Sequence, residues 1–505
     1  MGPDVFKSLN KNKRRQVTPF VILCIFLSLF VISKIFTLFT PLFHDEIGIY
    51  GRLLFYMLEH GPSMHPGDVT PEFGRGHPLF FTYFLSVLTS WTGGSYVSAR
   101  CIILLLSVAL VLMTYIFAKK ISNKNIALTA CIILLFQPIF YSQSTMILPE
   151  IMLSLLAIIS IYFYINKRYF LYFIFSGLLI LTKETGIVLF ASIGLYEWYK
   201  DRFKISLNLI LTIIKWSLPF SLIILFFAIQ KLEYGWFLYP FHTSLISFNP
   251  VTLFIRFLLN ISNLFLDQGR FMLTIALIYS LWKIDKEKRK YLIDKYFLLL
   301  SVCFVMIAFS SINYVMTRYL LMILPLVLIF IVAIIKESIF NSKYLVLYFL
   351  LTLPFQFSFY TFRQDNDMGY LIVVENMRKS IAELDKLTEG KPAMIWAQFP
   401  ELNALDFIHD GYVSNPNYVL RTVYSDSIDY ILISGREYLK NDKLINDMKY
   451  DIENKVDSIL NDETAYKNSG FELMYDKTLF YNRQRIFKTN NFKKRDKNYK
   501  LIIKE

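Results

Sequence analysis

Residues 19–50 read PFVILCIFLSLFVISKIFTLFTPLFHDEIGIY. The run from Pro19 to Thr40 carries one charge, Lys34, and is long enough to cross a ~30 Å hydrocarbon core as a helix. Pro41 then turns the chain, and His44, Asp45 and Glu46 follow at once. Acids at a bilayer edge are costly unless they are paired or used. The stretch therefore predicts a first membrane span that ends on a cluster of ionisable groups.

The whole chain agrees with that class. Its 505 residues are 55% hydrophobic and 17% aromatic, with only 18% charged, and the mean hydropathy is +0.44. A formal charge of +14 could suggest nucleic acid, but the basic residues recur in short loops between apolar runs, the positive-inside pattern. Cys24, Cys101, Cys131 and Cys303 all fall within apolar runs and offer neither metal-ligand spacing nor a disulfide framework. The first apolar run is too long for a signal-peptide core.

Hydropathy predicts an α-helical polytopic membrane protein of about eleven spans, near 19–40, 97–118, 125–145, 147–165, 169–182, 186–199, 207–230, 271–282, 296–312, 319–335 and 344–362. Lys7 to Arg15, Lys119 to Lys124, Lys167-Arg168, Lys200 to Lys204, Lys283 to Lys295 and Lys336 to Lys343 fall on one side, which predicts a cytoplasmic N-terminus in the plasma (inner) membrane. Two long outer loops, 41–96 and 231–268, contain semi-apolar stretches (79–88 and 251–266) that fit interfacial helices or an extra span. Residues 1–362 thus form the membrane domain. Residues 363–505 turn polar and predict a soluble extracytoplasmic α/β domain, with a helix at 369–388 and strands at 393–397, 430–433 and a pair near 471–488. The tail from Lys488 is basic. No internal repeat is visible.

On that topology His44, Asp45, Glu46, Arg52, Arg75, His77, Glu150, Lys183, Glu184, Arg256, Arg270 and Arg318 map to the outer half. Mixed acids and bases on one face suit a site that holds an anion and abstracts a proton. Each has a plainer use. An acid at Asp45 or Glu46 also favours the dipole of the helix that follows. Arg75 and His77, in Arg75-Gly76-His77-Pro78, end a Gly/Pro-rich loop, either as a turn or as donors to phosphate oxygens. Glu150 after Pro149 is a common helix start. Lys183-Glu184 is an ion pair in a turn or a phosphate contact. Arg318 snorkels or binds. The outer-loop aromatics Trp91, Tyr234, Trp236 and Tyr239 serve as interfacial anchors or as a sugar and prenyl cradle.

Taken together, these segments resemble the GT-C superfamily of membrane glycosyltransferases, in particular protein O-mannosyltransferase-like enzymes and the lipid A aminoarabinose transferases. Asp45-Glu46 looks like the family's Asp-Glu pair, in which the aspartate is the catalytic base. Gly76-His77-Pro78-Leu79, with Ser98-Ala99-Arg100 opening the second span, looks like the next landmark. Leu148-Pro149-Glu150, then Leu181-Thr182-Lys183-Glu184-Thr185-Gly186, then Arg318-Tyr319-Leu320-Leu321 with Pro325, follow in the family's order. The likeness covers about residues 15–335. Two positions depart from it: the aminoarabinose transferases carry lysine where His77 stands, and relatives often carry aspartate where Glu150 stands.

The resemblance implies a glycosyltransferase that moves one sugar from a polyprenyl-phosphate donor to a hydroxyl of a protein, lipid or glycan, outside the membrane and with inversion. Asp45 and Glu46 would be catalytic; His77, Lys183, Arg318 and Arg75 would hold the donor phosphate; Glu150, Glu184 and Arg52 would support them. No cofactor is implied. No Asp-x-Asp occurs in the first outer loop, and a divalent metal stays open. A transporter or lipid-linked sugar flippase is the alternative and predicts ionisable groups deep in several spans, where only Lys34 and Lys215 come close. A membrane-tethered binding protein ranks third.

Overall fold

The computed structural model describes residues 18–313, 315–337, 348, 351–356, 366–397, 401–406, 411–412, 417–421, 428–436, 471–479 and 482–489. Among them four helices are long and apolar enough to span a membrane: Pro19–Phe39, Tyr96–Ile121, Leu207–Tyr234 and Lys286–Ile312. Pro250–Phe265 and Asp267–Lys283 make a further candidate as a pair bent by 44°. Shorter apolar helices are Phe80–Trp91, Lys124–Leu135, Glu150–Ile165, Tyr169–Thr182 and Leu324–Lys336. Most of the expected span at 344–362 lies outside the described residues.

Several expected spans are shorter than hydropathy suggests, for local reasons. The segment 125–145 is two helices, Lys124–Leu135 and Pro138–Gln143, separated by Gln137 in an extended conformation. Pro138 lacks an N–H and disfavours helical geometry in the residue before it. The segment 319–335 is also divided. Thr317–Met322 forms a tight 3-10 turn before helix Leu324–Lys336, whose Pro325 sits in the first turn where a missing N–H costs nothing. Arg318 is consequently presented by a turn. In the second long loop, Asn249 caps helix Pro250–Phe265 by accepting from the Val251 and Thr252 N–H groups. Phe254, Ile255 and Leu258 on that helix are exposed.

Helix Leu324–Lys336 is buried along nearly its whole length and packs on Lys124–Leu135, Arg270–Lys283 and Lys286–Ile312. Glu150–Ile165, also buried on most sides, packs between Tyr169–Thr182 and Tyr96–Ile121. Helices apolar all round belong at the centre of a bundle. Helix Pro19–Lys34, by contrast, leaves Ile25, Leu29 and Ile32 exposed on the face that suits lipid.

The C-terminal part carries a five-stranded sheet of order β2-β1-β3-β5-β4, with β1 Ala393–Ala397, β2 Tyr418–Arg421, β3 Tyr430–Arg436, β4 Phe471–Leu479 and β5 Asn482–Thr489. β1 runs parallel to β2 and β3, while β5 is antiparallel to β3 and β4. Helix Tyr370–Thr388 packs on β4 and β5. Strand β2 and the short helix Glu401–Asp406 were not anticipated from sequence. Both are too short to develop a period.

Candidate active site

The loop after the first helix is built tightly. His44 takes a left-handed backbone at φ 54°, and Glu46–Tyr50 form a π-helical turn ahead of helix Gly51–His60. The two neighbouring acids of this loop end in different places. The Glu46 carboxylate is fully enclosed. Arg100 Nη2 meets its Oε2 at 2.8 Å and Nε meets Oε1 at 3.3 Å. The Phe43 and Ile147 N–H groups donate to the same carboxylate at 3.0 and 2.8 Å. Arg100 also donates to the carbonyls of Thr37, Thr40 and Pro41. Glu46, expected as half of a catalytic pair, is enclosed with its carboxylate engaged by Arg100 and two backbone N–H groups. It ties the end of the first helix to the second span and to the turn that carries Glu150.

The Asp45 side chain is 17% exposed and faces the other way. Arg318 Nη2 donates to its Oδ2, and His44 Nδ1 lies 3.4 Å from Oδ1. Arg318 Nε is 3.8 Å from Glu150 Oε1, and Lys183 Nζ is 3.2 Å from the same oxygen. Asp45, Arg318, Glu150 and Lys183 thus form one chain of alternating charge. The Lys183 ammonium also lies over the Tyr319 ring, 4.1 Å from its centre. Burial alone would raise the Asp45 carboxyl, but Arg318 and His44 outweigh it and hold it well below the usual carboxylate range. Burial would discharge Lys183, but the neighbouring Tyr50, Glu150, Tyr319 and Glu184 keep its ammonium above the ordinary value.

His77 joins this cluster from the first long loop. Its Nδ1 is 3.0 Å from Glu184 Oε2. Burial pushes Glu184 up, yet His77 and Lys183 bring it down to about 2. The turn that presents His77 requires glycine before it. Gly76 has φ +70°, and a Cβ there would lie 3.0 Å from both Trp236 and Tyr239 of the second long loop. That loop closes over the first: Tyr234 Oη donates to the Pro66 carbonyl at 2.6 Å, and the His242 ring centre is 4.6 Å from that of His77. His242 is driven down to about 4 by burial and by the nearby His77. Arg75 donates to the Gly48 carbonyl at 3.3 Å.

Arg52 stands apart from the cations that were expected to surround a phosphate. It reaches to Asp406 at 2.7 Å in the C-terminal part. The buried cations inside the helices are also engaged. Lys34 lies 4.4 Å from the Tyr141 ring centre and 3.8 Å from Met368 Sδ. Arg270 donates to the carbonyls of Leu264 and Asn263 and to the Gln137 and Gln268 side chains. Among the described residues no three His, Cys, Asp or Glu side chains converge on a metal site.

Arg100 and Tyr319 stand in the sequence landmarks without a site role, and Tyr50 and His242 stand outside them. Arg100 had a signal, an arginine in the first turn of an apolar span that must find an acid nearby. The others had none, since Tyr50 and Tyr319 each lie more than a hundred residues from Lys183, and His242 as far from His77.

A sequence-family model for dolichyl-phosphate-mannose-protein mannosyltransferase matches residues 76–229, which contain His77, Arg100, Glu150, Lys183 and Glu184. No curated protein matches. Among solved structures, ArnT from Cupriavidus metallidurans bound to undecaprenyl phosphate has a TM-score of 0.51 at 13% identity, with 92% of this chain and 97% of that chain covered. The apo form of the same ArnT gives 0.48 at 13%, covering 65% of this chain and 62% of that chain. The match to the bound form carries the likeness in fold, which extends beyond the helices to the C-terminal part.

Proposed function

On the premise that this chain is of the GT-C superfamily, which its mannosyltransferase-family segment and ArnT-like fold support, we propose that it transfers a single sugar from a polyprenyl-phosphate donor to an acceptor hydroxyl, with inversion. The observation that carries this is the charge chain Asp45–Arg318–Glu150–Lys183 with His77–Glu184 beside it. It sets two partly exposed carboxylates, Asp45 and Glu184, beside several cations, and Asp45 is the one that faces Arg318. A sugar phosphodiester needs both: cations where charge grows on the leaving phosphate, and a base for the attacking hydroxyl.

The ion pairs suggest an order of events. A phosphate arriving at Lys183 and Arg318 competes with Glu150 and Asp45 for them. Once Arg318 turns to phosphate, Asp45 loses the neighbour that depresses its basicity. Asp45 then accepts the acceptor's proton as the new C1–O bond forms. The C1–O(phosphate) bond breaks on the opposite side, and its electron pair leaves on the polyprenyl phosphate. His77, kept in place by Glu184 and Gly76, adds a donor at that phosphate. ArnT has been crystallised with undecaprenyl phosphate, so a carrier of that class is the first to test. The purified protein should release polyprenyl phosphate only when a sugar-bearing donor and a hydroxyl acceptor are both present. Binding without turnover under every acceptor tried, coupled with passage of the donor across a vesicle, would favour the flippase instead.

Lys183→Ala should weaken donor binding about 10- to 150-fold, the span of a charge-assisted hydrogen bond worth ~1.5–3 kcal/mol. Glu184→Ala should act less, through His77. If both variants merely express poorly and whatever folds binds donor normally, Lys183 is a structural pair.

The site faces outward on this proposal, with the N-terminus in the cytoplasm, residues 1–362 forming the membrane domain and 363–505 an extracytoplasmic one. The sidedness of the basic loops motivates it. A reporter that works only in the cytoplasm, fused after Arg363, should stay silent, and an active fusion would reverse the topology.

A further inference from the structure

The segment that carries Asp45 is held from two sides by the C-terminal part of the chain. On one side Tyr370, which opens helix Tyr370–Thr388, stacks on Phe43 with ring centres 6.0 Å and planes 27° apart. Gly411 lies against the same stretch: a Cβ there would be 3.5 Å from Pro41 Cα and 3.3 Å from Tyr96 Oη. On the other side Arg52 makes a three-way link. Its Nε donates to the Ile47 carbonyl at 2.9 Å, inside the π-helical turn. Its Nη1 donates to Asp406 Oδ2 at 2.7 Å, and its Nη2 to the Asn403 carbonyl at 3.1 Å. Asn403 and Asp406 both belong to helix Glu401–Asp406, which packs on the Glu46–Tyr50 turn. Pro41, Phe43 and Ile47 bracket Asp45 in sequence. Each is touched directly or through Arg52 by residues beyond 366. The partners of Lys183 and His77 described above all lie in the helical part.

We propose that the C-terminal part is a positioning element for the base, in which Asp406, acting through Arg52 on the Glu46–Tyr50 turn, sets where the Asp45 carboxylate meets the acceptor hydroxyl. This rests on Asp45 being the base. The Asp406 side chain is 55% exposed, and an ion pair of that kind contributes little to folding. Its effect on turnover is larger, because a displacement of ~1 Å at a reacting group can cost on the order of a hundredfold in rate. Asp406 and Arg52 are positioning residues, since they act through the turn that carries Asp45.

The test uses the full chain in lipid, with donor binding and turnover measured separately. Asp406→Ala should lower turnover about fivefold and Arg52→Ala about tenfold, small fractions of the full displacement penalty. Donor affinity should stay at the native value in both, and Asp406→Ala should keep the native melting temperature, whereas Arg52→Ala should lower it, since the Ile47 and Asn403 carbonyls lose a donor. The double variant should be no slower than Arg52→Ala, because both act through one link, and Asp406→Glu should recover most of the loss. Additive losses, a rise in donor KM equal to the loss, or native turnover in both single variants would each overturn the proposal. Asp45→Asn in the same series separates this failure from a deeper one. If Asp45→Asn keeps native turnover, the base assignment itself falls. If it abolishes turnover while Asp406→Ala and Arg52→Ala do not slow the enzyme, only the link falls.

Discussion

Asp45→Asn should slow transfer about 10²- to 10⁴-fold, the usual contribution of a positioned general base, while donor binding persists. The amide keeps the shape of the carboxylate and can still face Arg318, so the site should assemble. It has no basicity with which to take the hydroxyl proton. The pH profile gives the same assignment independently. Arg318 and His44 hold Asp45 well below the usual carboxylate range, against the upward push of burial. A base is competent when deprotonated, so activity should persist as pH falls and be lost only through that depressed value. kcat/KM reports the free enzyme, and its acid limb should therefore lie below the ordinary aspartate range of ~3.9. Arg318→Gln removes the depressing cation and should move that limb to higher pH, alongside any loss of donor affinity. An acid limb that stays where it was in Arg318→Gln would detach Asp45 from the chemistry.

Arg100→Ala should be the most destabilising single change in the site region, by ~3–5 kcal/mol, because it leaves a buried carboxylate without its cation. Glu46 is fully enclosed, and Arg100 also satisfies the carbonyls of Thr37, Thr40 and Pro41 at the end of the first helix. Glu46→Gln should be costly for the mirror reason, a buried guanidinium facing a neutral amide. The pair replaced together by apolar residues of similar volume should recover much of the loss. Thermal unfolding in lipid or detergent reads all three. Specific activity of the remaining folded protein separates bracing from catalysis. A Glu46→Gln protein with a native melting temperature and collapsed turnover would restore Glu46 to the chemistry.

These two acids show where sequence reasoning stops. Adjacent in the chain, Asp45 and Glu46 have the same chemistry and the same hydropathy context, and nothing local distinguishes them. The difference arises because successive side chains point in different directions from the π-helical turn. One points towards Arg100 and the Ile147 N–H, the other towards Arg318. Arg52 was read as a supporting residue of the same cluster for the same reason. It shares the cluster's face of the membrane, but its partner Asp406 lies 354 residues away.

What the sequence determined by itself was whatever depends on local composition. Apolar run length set the membrane class and most helix positions. Alternation and β-branched or aromatic content located β1, β3 and the β4–β5 hairpin. The cluster of ionisable groups at the end of the first apolar run marked a candidate site, and the order of short motifs pointed to a superfamily whose mannosyltransferase family model matches residues 76–229. The break at Pro138 was written there too, and hydropathy averaging hid it. The tertiary structure alone decided which charges pair. Arg318 reaches Asp45 across 273 positions and Lys183 reaches Glu150 across 33. Each could have satisfied its charge elsewhere. Choosing among like-charged candidates depends on who shares a desolvated pocket, and only the packed helices create that pocket.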